Sequence, residues 1–599
     1  MAKASLPQWD LRDFYSSPRD PKISADLSSG AKKAHQFVRT YKGKLFRTSI
    51  SARFLATALK DLERILERSA RPAEYAHLIF QADASAENSA FAQRMEEEFA
   101  AITRKLIFVD VELIRIPPRA FNALVKNSQL AEYAHYLRRV YAFRPHILSE
   151  AEEYILHQKQ LTSSGAFSRL FTERVAGFSS TLEHGKRTEQ LNESQILALL
   201  YHKDRAVRQK AAQSFTKTLQ QESRLQTFIF NAIVLDKSLD DEFRHYPSPE
   251  AYRHLENELS QQAVDVLIDT VVRNYSLVAR FYALKKKQLG IAELTDYDRY
   301  APLPTGNDAT IPFDRAQKTV QDTYAAFSPE AEKIIAQFFD RHWIDAELRP
   351  NKRGGAFCAG ISPALHPYVL VNYTGTHNDI MTLAHELGHG LHFHLARRQN
   401  YFNYNMPLVL AETASVFGEM MAFDHMFKNE KRPAAQEALL TSKIESIIAT
   451  VFRQVAMFIF ERELHTERKE KGELSTAAIN ALWIATQKKM FGKSVTLTED
   501  YRWWWSYIPH FIHTPFYVYA YAFGELLTLA LYQRYQNKTI TDFPKKYFAL
   551  LSAGGSQDPA KLLHQTLGVN INDPEFWQEG MRVIADMITT AEQLHARKA

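Results

Sequence analysis

The segment Asp379-Ile-Met-Thr-Leu-Ala-His385-Glu386-Leu-Gly-His389-Gly-Leu-His392 contains the pattern His-Glu-x-x-His. On a helix, residues four apart differ by only about 40° around the axis, so His385 and His389 project from one face. Two imidazoles stacked in this way supply two nitrogen ligands at zinc-like spacing. Glu386 follows the first of them and points elsewhere, so it reaches a metal-bound water without being a ligand itself. Zinc lowers the pKa of its water from about 15.7 to roughly 7 and polarises a carbonyl oxygen. The expected chemistry is peptide-bond hydrolysis, with Glu386 taking the water's proton and handing it to the leaving amine.

Catalytic zinc usually has three protein ligands and an open position. The metzincin continuation would place glycine and histidine where this chain has His392 and Leu395, so it fails. The segment Leu408-Val-Leu-Ala-Glu412-Thr-Ala-Ser-Val-Phe-Gly-Glu419 reads instead as a helix that is apolar except for its two glutamates. A glutamate flanked by Leu410, Ala411 and Ala414 requires a cation or a hydrogen-bond partner if it is buried. Glu412 is read as the third ligand of one zinc ion per chain. Glu419, seven residues on and on nearly the same face, is read as the partner of a ligand histidine. The reverse assignment of these two glutamates competes. His392 and His394 are expected beside the metal centre or in solvent, Asp379 as the cap of the metal helix, and Cys358 as a small packed residue.

Helices must position these groups. Leu55, Leu59, Leu62, Ile65 and Leu66 recur at spacings of three and four, and similar patterns run through 87–107, 190–235, 255–290 and 435–470. Turn residues cluster at 244–249, 302–312 and 350–367. Tyr368-Val-Leu-Val-Asn-Tyr373 reads as a short strand, and Gly354-Gly355-Ala-Phe-Cys358 as its partner, where glycines admit a second backbone. Gly354 and Gly355 are therefore substrate-binding candidates. The expected fold is mainly α, with a small β-sheet next to the metal-binding helix. A boundary near residue 190 separates an N-terminal helical lobe (1–190) from a catalytic lobe (191–599).

Composition excludes several classes. A single cysteine forbids an intramolecular disulfide and a cysteine-rich zinc finger. The net charge of +6, from 74 basic against 68 acidic residues, is spread along the chain and argues against a nucleic-acid partner. The most apolar segment, 517–532, is interrupted by Glu525 and too short to span a bilayer, so no membrane partner is expected. The opening residues lack the apolar stretch of a signal peptide, and the expected compartment is the cytoplasm.

Several ordered motifs resemble the thimet oligopeptidase and oligoendopeptidase F group of zinc metallopeptidases, the oligoendopeptidase F branch most closely. They are Trp9-Asp-Leu-Arg-Asp-Phe-Tyr15, Lys352-Arg-Gly-Gly-Ala-Phe-Cys358, Leu383-Ala-His-Glu-Leu-Gly-His-Gly390, Glu412-Thr-Ala-Ser-Val-Phe-Gly-Glu419 and Pro515-Phe-Tyr-Val-Tyr-Ala-Tyr521. The resemblance implies two helical lobes enclosing a deep channel, cleavage of short peptides within it, and exclusion of folded proteins. It implies Glu412 as the zinc ligand and the strand at 368–373 beside the bound peptide, pairing with its backbone. It also implies that histidines and tyrosines of 510–521 bind substrate and stabilise the oxyanion: Tyr521 and His513 as catalytic groups, His510 and Tyr517 as substrate-binding groups. Locally, Thr514 suits an N-cap and Pro515 a first helical position, which would put Tyr517 and Tyr521 on one helix face. Two other readings compete: a zinc carboxypeptidase or dipeptidase, and a peptide-binding protein that keeps its metal without turnover.

Overall fold

The computed structural model describes residues 6–184, 187–303 and 310–597. The turn-rich 304–309 lies outside the described residues. The chain is mainly helical, with a hairpin and one small sheet, as the periodicity predicts. No described helix is long and apolar enough to cross a membrane.

Two compact units share the chain, and each is assembled from three separate stretches. The first comprises Met1–Arg144, Ala309–Met426 and Arg534–Asn570; the second comprises Pro145–Asp308, Phe427–Gln533 and Ile571–Ala599. Residue 190 thus falls inside the second unit, in a two-stranded hairpin, Ser180–His184 with Arg187–Leu191, where the sequence pattern suggested the start of a helix. A short helix, Glu193–Ala198, follows the hairpin directly, and the long helix begins at Arg205, where the Asp204 side chain caps the backbone N–H of Ala206.

The first unit opens with α1 (Pro21–Tyr41) and α2 (Ala52–Ala82), packed side by side. Leu55, Leu59, Leu62 and Ile65 of α2 are buried, as their spacing requires. After the stretch belonging to the second unit come α3 (Phe313–Phe327) and α4 (Pro329–Asp340). The sheet follows: β1 (Ile344–Asp345), β2 (Phe357–Ala359) and β3 (Tyr368–Leu370). Then come α5 (His377–Ala396), α6 (Leu408–Asn429) and α7 (Phe543–Ser552). The strand order is β1-β3-β2, with β1 parallel and β2 antiparallel to the central β3. Lys352 holds the sheet together: its Nζ pairs with Asp345 Oδ1 at 2.7 Å and donates to the carbonyls of Glu347 and Val371. β2 and β3 pack directly on α5. The N-terminal motif covers the sheet, with the rings of Trp9 and Phe14 6.1 and 5.6 Å from that of Tyr368.

The second unit is built on the 39-residue helix Arg205–Phe243. Its buried residues lie on more than one face, so it acts as a core helix rather than a surface one. The hairpin and the helices Ser164–Ala176 and Phe452–Lys471 pack against it.

Candidate metal centre and aromatic cluster

The helix α5 starts at a capping box: Thr376 Oγ1 accepts from the Asp379 N–H, while Asp379 Oδ2 accepts from the Thr376 N–H at 2.9 Å. Asp379 is the cap that the sequence predicts. Ile380, Leu383, Ala384, Leu387 and Leu391 bury one side of α5, and His385 and His389 emerge half-buried from the other. Their ring centroids are 5.1 Å apart.

The position of α6 is set by two glycines. A Cβ on Gly388 would meet the Ala414 carbonyl and lie 2.7 Å from Ser415 Cα. A Cβ on Gly418 would lie 2.7 Å from the Ala384 carbonyl oxygen and collide with the Tyr324 hydroxyl. The two backbones can therefore approach only because both positions lack side chains. Tyr324 of α3, fully buried, donates to the Ala384 carbonyl at 2.8 Å, directly before His385.

This crossing places Glu412 Oε2 3.4 Å from His385 Nε2 and 3.5 Å from His389 Nε2. One potential donor atom from each of the three residues lies within 4.8 Å of the others. Two imidazole nitrogens and a carboxylate oxygen form a donor set that fits zinc. Ser415 Oγ donates to Glu412 Oε2 at 2.8 Å, and Glu419 Oε2 lies 3.1 Å from His385 Nδ1. Between Thr413 and Gly418 every residue of α6 is buried, while Glu412 and Glu419 stay half-buried against the His385 ring.

The electrostatics agree with a cation site. Burial opposes charge on His385, but the Glu412 and Glu419 carboxylates outweigh it and push the imidazole pKa up to about 10. Burial likewise acts against Glu412, yet the two histidines hold its pKa well below the usual carboxylate value. Fields that favour a proton on this imidazole also favour a divalent cation. Glu386 is buried, and desolvation raises its pKa, with the two histidines pulling it down and Glu412 and Glu419 pushing it up. Cys358, on β2, is pushed well up by burial and then by the charge of Glu386. That protonated thiol agrees with the packed-residue reading. His392 is buried rather than solvated, and desolvation depresses its pKa to about 3.

The strand reading needs one correction. β3 is flanked on both sides, by β1 and β2, so its backbone has no edge left for a peptide. The sheet's two edges are β1, which is buried, and β2, which is half-buried along its length. Gly354 and Gly355 sit in the exposed turn leading into β2. Gly355 has φ of +81°, and Asn372 Nδ2 donates to the carbonyls of Arg353 and Gly355, each at 2.8 Å.

The second unit holds the aromatic cluster. His510 Nε2 lies 3.3 Å from Tyr521 Oη, and the rings of Tyr517 and Tyr521 meet edge to face at 5.0 Å. Arg253 lies over the Tyr517 ring at 5.9 Å and donates to the Pro515 carbonyl. His513 has contacts on another helix, with Nε2 3.2 Å from Thr172 Oγ1. Tyr519 is fully buried, its hydroxyl accepting from Asn257 Nδ2 at 2.8 Å. No helix begins at Thr514 and Pro515: a short helix covers His510–His513, and the next starts at Tyr519. Phe516 adopts φ of +58°, and its N–H donates to the buried Glu461 Oε1 at 2.9 Å. That distant carboxylate overrides the local helix signal.

Against known proteins, the family model described as Peptidase family M3 matches residues 198–583. The chain belongs to peptidase family M3. A second model, Oligopeptidase F, matches residues 112–179 of this M3 peptidase. The chain is 26% identical over 599 residues to Oligopeptidase PepF of Bacillus subtilis, covering 98% of this chain and 87% of that one. It is 25% identical over 596 residues to Group B oligopeptidase PepB of Streptococcus agalactiae, covering 98% and 97%. The fold matches that of oligoendopeptidase-F from Enterococcus faecium with a TM-score of 0.73 at 21% identity, over 96% of this chain and 98% of the other.

Three supports of the M3 centre escaped sequence reasoning: Tyr324, Ser415 and the paired glycines Gly388 and Gly418. Gly388 lies inside the motif itself, and a glycine in a helix interior signals a close approach. Tyr324 lies 60 residues from its acceptor and left no local sign.

Proposed function

We propose that this metallopeptidase is a zinc-dependent endopeptidase of oligopeptides, with His385, His389 and Glu412 holding the ion and Glu386 as general base. The observation that carries this reading is the convergence of those three side chains on one face, with Glu386 beside them, in an M3 chain. Bound there, zinc would lower the pKa of a water and polarise the scissile carbonyl. Glu386 removes the proton from the attacking water and delivers it to the leaving nitrogen. Glu419 accepts from His385 Nδ1 and so fixes the tautomer that leaves Nε2 as a donor to the ion. Ser415 restrains Glu412 by hydrogen bonding one of its oxygens.

Backbone pairing at the β2 edge, reached through the Gly354–Gly355 turn, would hold a peptide without regard to its side chains. In the aromatic cluster, His510 and Tyr517 contact the substrate. Tyr521, oriented by His510, donates its phenolic hydrogen to the developing oxyanion. His513 is the weaker member, because its contacts are with Phe171 and Thr172. The names of the bacterial relatives support oligopeptides as the substrate class.

The test combines metal analysis with digestion of internally quenched peptides of increasing length. The expected result is one zinc per chain, internal cleavage of short peptides, loss of activity on chelation, and no cleavage of a folded protein. Full activity in the chelated, metal-free protein would overturn the mechanism, and removal of terminal residues alone would overturn the endopeptidase reading.

A further inference from the structure

Among the described residues, Arg208, Lys285, Arg299 and Arg453 are cationic side chains of the second unit's interior around Tyr300, and the first three are accounted for. Arg208 pairs with Asp298 at 2.8 Å. Lys285 pairs with Glu445. Arg299 spreads its charge over the ring faces of Tyr300, Phe491 and Tyr501, at 5.1, 5.1 and 4.9 Å.

Arg453, on the helix Phe452–Lys471, differs. Among the described residues it has no carboxylate at ion-pair distance and no ring face beneath its guanidinium. Its one hydrogen bond is a long one, Nη1 to Tyr300 Oη at 3.4 Å. Its Nε is shut off from solvent with no acceptor, and the neighbouring Gln454 Oε1 is equally unsatisfied. A guanidinium offers five N–H donors. A desolvated guanidinium N–H without an acceptor is costly, and an anion reaching Arg453 would satisfy it.

The surroundings suit an anion arriving from outside. Arg453 itself remains half-buried rather than sealed. The Tyr201 ring stacks on Tyr300 at 4.9 Å and is 60% exposed, so an aromatic wall is open to solvent. Arg453 is also near the aromatic cluster: after burial, its charge is the next influence depressing the His510 pKa. Its charge is therefore felt at His510, one of the residues proposed above to contact the peptide.

We propose that Arg453 receives a carboxylate of the bound peptide, with Tyr300 orienting the guanidinium and Tyr201 flanking the approach. The proposal rests on the peptidase reading above. A carboxylate can come from the peptide's C-terminus or from an acidic side chain, and both offer two oxygens to the guanidinium fork.

Two matched peptide pairs separate these sources: one peptide as the C-terminal acid and as the amide, and another with Glu or Gln at each position in turn. Wild-type protein is expected to favour the carboxylate member of at least one pair in kcat/KM, on the order of tenfold to a hundredfold. In Arg453→Gln that ratio falls towards one, and in Arg453→Lys part of it survives. Because the readout is a ratio within one preparation, a partial loss of folded protein does not distort it. If Arg453→Gln does not fold, Tyr300→Phe is measured instead and is expected to shrink the ratio. Equal rates for both members of every pair, or an unchanged ratio in the variants, would overturn the assignment. If the wild type cleaves none of these peptides, the peptidase reading itself fails, which is a different result.

Discussion

Glu419 Oε2 lies 3.1 Å from His385 Nδ1, while Glu412 Oε2 approaches the opposite ring nitrogen, Nε2, at 3.4 Å. One imidazole is thus held between two carboxylates seven residues apart on α6. The sequence reads Glu412 as the ligand with the reverse assignment competing, and the structure favours the first, because Glu412 also comes within 3.5 Å of His389. Changing each to glutamine separates the roles. Glu412→Gln should lose most bound zinc, whereas Glu419→Gln should bind it about 10–100-fold more weakly and still saturate. Competition against a chromophoric chelator measures both. Equal losses in the two variants would contradict the distinction.

Glu386 is buried beside the proposed ligands and belongs to none of the contacts that join them. Glu386→Gln keeps its shape and removes its basicity. Turnover should fall by about 10²–10⁴-fold, the usual worth of a general base. Zinc content, read by elemental analysis of the same sample, should stay at one per chain. Retained turnover would remove Glu386 from the proton path.

Packing makes its own prediction. Gly388→Ala places a methyl group against the Ala414 carbonyl and Ser415 Cα, both backbone atoms that cannot swing aside. Overpacking of this kind typically costs about 1–3 kcal/mol. The strain falls on the crossing that brings Glu412 to the histidines, so zinc affinity should drop together with the denaturation midpoint. Gly355→Ala is a useful contrast: nothing surrounds its Cβ, and only the φ of +81° resists the change. A smaller stability loss with no change in zinc affinity is expected there. Unchanged zinc affinity in Gly388→Ala would show that the crossing can relax.

What the sequence made legible is largely what local spacing encodes. The four-residue interval from His385 to His389, the Thr376–Asp379 box and the seven-residue interval from Glu412 to Glu419 each report one helix's geometry. The short strand at Tyr368 and its Phe357 partner also showed in composition, but which of them lies at the edge depends on β1, and two residues are too few to announce a strand. The interleaving of the two units was not legible either, because no run of turn residues marks Arg144 or Met426. The break at Phe516 is the clearest loss. Pro515 locally signals a helix start, and the residue that overrules it, Glu461, stands 55 positions away.

That same pair yields a pH prediction. Burial raises the Glu461 pKa to about 8, against the weaker opposing pull of the Phe516 N–H, Lys237 and Arg253. In the unfolded chain the group titrates near 4.5. Between these values the folded protein holds a proton that the unfolded chain releases, so stability falls as pH rises through this window. Glu461→Gln keeps an oxygen for the Phe516 N–H and has nothing to ionise. Its stability relative to wild type should therefore grow with pH, by up to about 1.4 kcal/mol per unit, and level off above about 8. Urea unfolding of both proteins at pH 5, 6.5 and 8 measures the gap. Parallel pH profiles would mean that Glu461 ionises in place, with its charge met by Lys237 and Arg253.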